Sequence, residues 1–301
     1  MCKRHKSREA FRAAVVLAFL YLIPALRSAA LIPALIVDGR NNHDWRATTP
    51  LLKQDLEATG LFTVSIVTAP AHNDQMPTFR LDFSRYRLVA LNYTDLGNGG
   101  EWPAETKLAF VNYVTSGGGV VVFHAASSAF PNWRQYNEIT GLGGWGDRDQ
   151  RAGPYVYFKN GKEVRDDSPG PGGHHGERHS FEIVIRDPNH PITKGLPHEW
   201  IHTKDELYDH LRGPAENLFI LATAYSDPAT GGSGRDEPVL FTVLYGKGRV
   251  FQTTLGHDPE AMKGVAFIVT FQRGAEWAAT GRVTLPAPKT FPGAHAVRIR
   301  P

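Results

Sequence analysis

The sequence has one cysteine in 301 residues, Cys2, and it precedes an apolar run at the N-terminus. The remainder of the chain has no disulfide, no thiolate metal site and no cysteine nucleophile, so it relies on its packed core. No HExxH, CxxC or EF-hand pattern occurs, and the motif-level expectation is no metal and no cofactor. GxGxxG is absent after the first apolar strand. Neither GSG at 232–234 nor GNGG at 97–100 matches a phosphate loop, which argues against a nucleotide site. A large charge excess is missing too: 33 Lys and Arg face 30 Asp and Glu.

Long apolar runs are also lacking. The longest, AAVVLAFLYLIPAL, is about 14 residues, short of the roughly 18 to 20 that span a bilayer. It follows the basic MCKRHKSREAFR and precedes RSAA, the order of a secretory leader cleaved after Ala30. The chain is therefore expected to be exported, to a periplasm or the extracellular space, with no stable membrane insertion once residues 1–30 are removed. Six of the 33 basic residues and one of the 30 acids lie there, which leaves 27 against 29. Nothing in that balance points to nucleic acid.

What is present reads as alternating strands and helices. PALIVDG (33–39) is a buried first strand, and TPLLKQDLEATG has helical period from Thr49 to a Gly60 stop. FTVSIVTA, RLVALNY and VVVF are further strands, and PAETKLAFVNYVT is a helix between the last two. This order predicts a parallel sheet with helices on both faces. From 145 to 180 glycine, proline and charge dominate, with one hairpin in YVYFKNGKEV turned by Asn-Gly. Three late strands follow, with a turn at YGKGR, and then an amphipathic helix ending at Gly281. One domain is expected over 31–285, with a loose proline-rich tail over 286–301.

Four segments offer chemistry. DGRNNHDW carries His43, Asp44 and Trp45; FHAASSAF carries His124 and Ser127. HTKDELYDH carries His202, Asp205, Glu206 and Tyr208; TLGHD carries His257 and Asp258. In a parallel sheet the first, second and fourth meet at one edge, where pockets form. Each also has a structural reading: Asp44 or Asp205 as helix caps, Trp45 or Trp133 as core aromatics, His257 as a partner of a carbonyl. GGHHGERH (172–179) adds His174, His175 and His179, either as a mobile surface loop or as a lid. His43, His124 and His257 with a carboxylate are suitable zinc ligands by type, but their spacing makes no motif.

On ALIVDGRNNHDW, GGGVVVFHAASSAF, DPNHPITKGLP, HTKDELYDHLRGPAENLFILATA, YGKGRVFQTTLGHD and RGAEWAATG, the chain resembles the ThuA-like (trehalose utilisation) family over about 34–283. The resemblance implies a class I glutamine amidotransferase-like fold: a flavodoxin-like three-layer α/β sandwich with a mainly parallel central sheet. True amidotransferases present a cysteine near His124. Its absence here excludes glutamine hydrolysis. The resemblance also implies a role in the catabolism of trehalose-related sugars or keto-glycosides. One departure concerns the lid. Many members have a histidine soon after a GG that GGWGDRDQRAG lacks, and the 172–179 loop supplies histidines instead.

Three readings follow. In the first, the chain is an enzyme acting on a small-molecule carbohydrate. His124 is then the acid or base, with Asp205 or Glu206 as its carboxylate. His43, Asp44, Trp45, Ser127, Tyr208, His257 and Asp258 bind substrate. In the second, the same pocket binds sugar without turnover. In the third, the chain is a metal-dependent hydrolase. The oligomeric state is left open.

Overall fold

Apolar runs that can be buried on both faces set the centre of the molecule. The computed structural model of the protein describes Met1, residues 30–96 and residues 99–300. Apart from its two end residues, the expected leader lies outside the described residues, as do two residues of GNGG. From Leu31 onward the chain is one unit. Among the described residues, no helix is long and apolar enough to cross a membrane.

β1 (Ile32–Asp38) leads through α1 (Trp45–Glu57) to β2 (Phe62–Thr68), and β3 (Leu88–Leu91) through α2 (Ala104–Thr115) to β4 (Gly119–Phe123). After α3 (Arg134–Thr140) come the hairpin β5 (Tyr155–Lys159) and β6 (Lys162–Asp166), the two-residue β7 (His174–His175), β8 (Glu182–Ile185), β9 (Glu199–Ile201) and the two-residue β10 (Tyr208–Asp209). β11 (Leu218–Tyr225), β12 (Asp236–Tyr245) and β13 (Gly248–Thr253) precede α4 (Pro259–Met262) and α5 (Val265–Thr280).

The main sheet runs β2-β1-β3-β4-β13-β12-β11-β8-β9. Its first five strands are parallel. The strands beyond β13 are antiparallel. The expected mainly parallel sheet is thus a mixed one with a parallel core. The cause is local: only Gly246 and Lys247 join β12 to β13, whose register pairs Tyr245 with Gly248, and a parallel crossover needs a dozen residues or more.

Period two decides which face each side chain serves. Ala34, Ile36, Val121, Phe123 and Phe251 join Leu52 and Leu56 of α1 and Phe267 and Phe271 of α5 in one apolar cluster. Leu35, Val37, Val120, Val122 and Val250 join Phe110 of α2 and Ile139 of α3 in the other. Gly274 lets α5 lie close on the sheet, because a Cβ there would meet the Phe251 ring at 2.1 Å. α1 begins one turn before the expected Thr49 because Asp44 caps it, accepting the Ala47 N–H at 3.1 Å. The Asn160-Gly161 turn has φ of +52° and +75°, positive at both positions as a type I′ hairpin requires.

The tail expected to be loose is docked. Val265 donates to the Arg298 carbonyl at 2.8 Å, and the Arg300 N–H to that of Lys263 at 2.9 Å. Phe291 packs edge-on against Trp200 at 5.2 Å. The Arg300 guanidinium reaches Asp55 at 2.6 Å. Proline content announced an irregular tail, but a buried acid in α1 needs a cation, and the tail brings one. Arg300→Ala should lower unfolding free energy by about 2–3 kcal/mol by stranding Asp55, and adding Asp55→Asn should restore part of that. An unchanged urea midpoint in Arg300→Ala would contradict this account.

Candidate functional site

The loops after β1, β4 and β13 leave the same edge of the parallel core and bring His43, His124 and His257 together. Ring centroids of His43 lie 4.7 Å from both His124 and His257. His43 is set by Asn41, whose Oδ1 accepts its backbone N–H at 3.0 Å and its Nδ1–H at 3.1 Å. Asn41 in turn donates to Asn92, which donates to Thr48 and Thr49 of α1. The histidine is therefore fixed to the end of β3 and to α1.

His124 opens a 3₁₀ turn (His124–Ser128) with φ +46°, in the left-handed region that costs a non-glycine residue about 1–2 kcal/mol. Both ring nitrogens are engaged. Nδ1–H donates to the Thr254 carbonyl at 2.6 Å, and Nε2 accepts from the Tyr208 hydroxyl at 2.8 Å. Burial, with His43 adding to it, pushes the imidazole down to about 3, so it stays neutral. Burial and the nearby Glu206 hold Tyr208 well above the ordinary phenol range, so its hydroxyl keeps the proton it donates. His124 is thus closed off from solvent on both nitrogens. The acid–base role expected of it does not suit its surroundings near neutral pH.

Glu206 stands at the centre. Its Oε1 lies 3.1 Å from His257 Nε2 and 3.8 Å from His175 Nε2; its Oε2 lies 3.7 Å from His43 Nε2 and 3.8 Å from His124 Nε2. Burial alone would raise this carboxyl, but the close contact with His257 and the other imidazoles around it outweigh that and hold it below the usual range. The same contact with Glu206 raises His257.

Asp205 faces the other way and does not line the cavity. Fully buried, it accepts from His202 Nε2 at 2.8 Å and from the N–H groups of Glu206, Gly256 and His257 at 2.8, 2.7 and 3.1 Å. Burial raises its pKa, and the His202 bond leads the contributions that hold it low. It is a positioning residue, not a helix cap.

The cavity holds about 240 Å³ and is walled by His43, His175, Glu206, Tyr208 and His257, with Asn42, Leu96, Ala125, Ser128 and Trp145. His175 arrives because β7 pairs with β10, which sets it opposite Tyr208. Of the two readings of that loop, His175 takes the lid position. His179 instead donates to the Glu177 carbonyl and packs on Phe181.

Four expected substrate contacts lie elsewhere. Asp44 is the α1 cap. Trp45 is covered by the Arg46 guanidinium at 4.2 Å. Ser127 is buried and donates to the His124 carbonyl, while its neighbour Ser128 lines the cavity. Asp258 caps α4 and pairs with Arg178. Trp145 was missed. Its ring meets Tyr208 at 4.6 Å, and its one sequence signal was a tryptophan set among glycines in GGWG.

The ThuA family profile, described as trehalose utilisation, matches residues 33–278. The chain belongs to the ThuA family. The crystal structure of a ThuA-like protein from Parabacteroides merdae is 50% identical, covering 90% of this chain and 98% of that one with a TM-score of 0.87. A ThuA-like protein from Bacteroides uniformis is 18% identical over 86% and 98% of the two chains, with a TM-score of 0.54, and shares the fold. No curated protein matches.

This ThuA chain carries a second polar cluster beside the first. Asp209 Oδ1 accepts from Nδ1 of His174 at 2.8 Å and of His210 at 2.7 Å; its Oδ2 accepts from Ser226 and from the Ser233 N–H. Ser233 also donates to Glu237, which burial raises to about 7, with Asp209 adding to the rise. Because the folded pKa exceeds the unfolded one, stability is full below about pH 4.5 and is lost as pH rises through about 7. Glu237→Gln should remove that slope and stabilise the fold at pH 8 by an amount on the order of 2–3 kcal/mol. A wild-type slope retained in thermal melts across pH 5–8 would refute this. Asp205→Asn turns one acceptor into a donor facing N–H groups and should cost about 2–4 kcal/mol, read from denaturant midpoints. A loss under about 0.5 kcal/mol, the range of an ordinary surface change, would rule out its tethering role.

Proposed function

We propose that this chain is an exported protein of carbohydrate catabolism that acts on a sugar or keto-glycoside, trehalose-related in class, in the Glu206 cavity. The observation that carries the reading is one carboxylate facing four imidazoles in a cavity of about 240 Å³ with aromatic walls. Trp145, half-buried in the wall, offers a face for the apolar side of a sugar ring, and the carboxylate and imidazoles suit its hydroxyls. The Ser128 hydroxyl, with no hydrogen-bond partner among the described residues, adds a further polar group. The family's description, trehalose utilisation, agrees with this substrate class.

In this reading His257 carries the proton. It is 22% exposed where His124 is 2% exposed, and it contacts Glu206 on the side shared with His175. Proton removal beside a sugar carbonyl develops an oxyanion, and the Ser128 hydroxyl in the cavity wall is the donor free to meet it. The strand order β2-β1-β3-β4-β13, with helices against both faces, supports a flavodoxin-like three-layer architecture. The leader pattern in residues 1–30 supports export.

Incubation with a panel of keto-glycosides and their parent sugars, with products followed by chromatography, tests the reading. Turnover is expected, and His257→Asn should lower kcat by about 10²–10⁴-fold with folding retained. Sugar binding without products would demote the chain to a binding protein, and neither binding nor products would overturn the reading. N-terminal sequencing of exported material should begin at Leu31.

A further inference from the structure

We propose that His43 Nε2, His124 Nε2 and Glu206 Oε2 together hold one divalent transition-metal ion, with its open positions toward the cavity. The sequence carries no metal motif here because the three donors come from three distant loops. The fold supplies what spacing could not. The donor atoms lie within 4.8 Å of one another, with the carboxylate oxygen 3.7 and 3.8 Å from the two nitrogens. The point in the plane of the three atoms that is equidistant from them is at most about 2.4 Å from each, so a contraction of a few tenths of an ångström reaches zinc bonding distances of about 2.0–2.1 Å.

The outer contacts are those a metal centre needs. A ligating histidine presents one nitrogen and donates the N–H of the other to an oxygen. His43 does so through Nδ1 to Asn41 Oδ1, and His124 through Nδ1 to the Thr254 carbonyl. Glu206 is oriented likewise, because His257 holds its second oxygen at 3.1 Å. The carboxylate keeps one oxygen for an ion and one for a histidine. Among the described residues, no lysine or arginine pairs with Glu206, whose buried carboxylate is ringed by imidazoles. The Tyr208 hydroxyl now meets the His124 Nε2 lone pair, and an ion must take its place there. Two histidines and one carboxylate with open positions suit zinc, iron or manganese, and such sites leave room for substrate or water.

The neighbouring His174, Asp209 and His210 also lie within ligand range of one another. Both imidazoles already donate to a single oxygen of Asp209, and its other oxygen is filled by Ser226 and Ser233. That group is satisfied by ordinary hydrogen bonds and serves as the control.

The inference concerns the cavity of the proposed function but stands without it. Full-length protein, stripped with EDTA, is titrated calorimetrically with Zn²⁺ and, separately, with Co²⁺ followed by visible absorption. One ion per chain is expected. His43→Ala and Glu206→Gln should each weaken binding by at least about 100-fold, and Asn41→Ala, which removes only an outer contact, by about 10–100-fold. Circular dichroism checks that each variant is folded, and the outer-contact variant keeps the test alive if a ligand variant is not. No stoichiometric binding to the wild type, or binding unchanged in all three variants, or loss that follows His174→Ala instead, overturns the proposal. Turnover of a sugar by wild-type protein that takes up no stoichiometric ion would sink the proposal while leaving the carbohydrate reading intact. Metal binding without any sugar interaction does the reverse.

Discussion

One buried carboxylate organises the site without touching its contents. Asp205 takes four donors from two chain segments, the one that carries Glu206 and the one that follows β13. Each bond is a charged hydrogen bond in a dry setting, where such bonds are at their strongest. Together they clamp the mouth of the parallel core to the antiparallel half of the molecule. Glu206 and His257 face each other because their backbones are bonded to the same side chain.

The second constraint is the backbone of His124. A left-handed residue at the end of a buried strand turns the chain sharply, and that turn points the imidazole back over the sheet edge. Non-glycine residues hold such a conformation only where their surroundings over-determine it. Here Thr254 and Tyr208 grip the two ring nitrogens from opposite sides, and the ring stacks on Tyr208 at 4.3 Å. The polar groups beneath the cavity are thus held before any ligand arrives.

The parallel core was readable from the sequence because its strands are short apolar runs closed by glycine or by a polar loop. The antiparallel half was less so. Its strands were visible, but direction depends on connections, and only the YGKGR turn revealed one. The edge on which His43, His124 and His257 meet followed from parallel strand ends alone. Glu206 was picked out, yet its central place was not, since nothing local distinguishes it from Asp205 one residue earlier. Alternation decides that: one faces the cavity and the other the core. Trp45 shares a segment with His43 and Asp44, whereas Trp145 reaches the cavity by tertiary packing against Tyr208 and Gly173. The docked tail escaped notice for a related reason, as the burial of Asp55 is a property of the fold.

The mixed sheet has a consequence for the order in which the molecule becomes competent. His43, His124 and Glu206 enter the centre from loops spread over more than half the chain, and β13, which carries His257 beyond it, slots between β4 and β12 late in the sequence. Contacts this distant along the chain form slowly, after the loops between them have closed. During synthesis the emerging polypeptide has the histidines long before it has the strand that brings them into register. A nascent fragment lacking β13 also lacks Thr254 and His257, so the groups that hold His124 and Glu206 are absent until the chain is nearly complete.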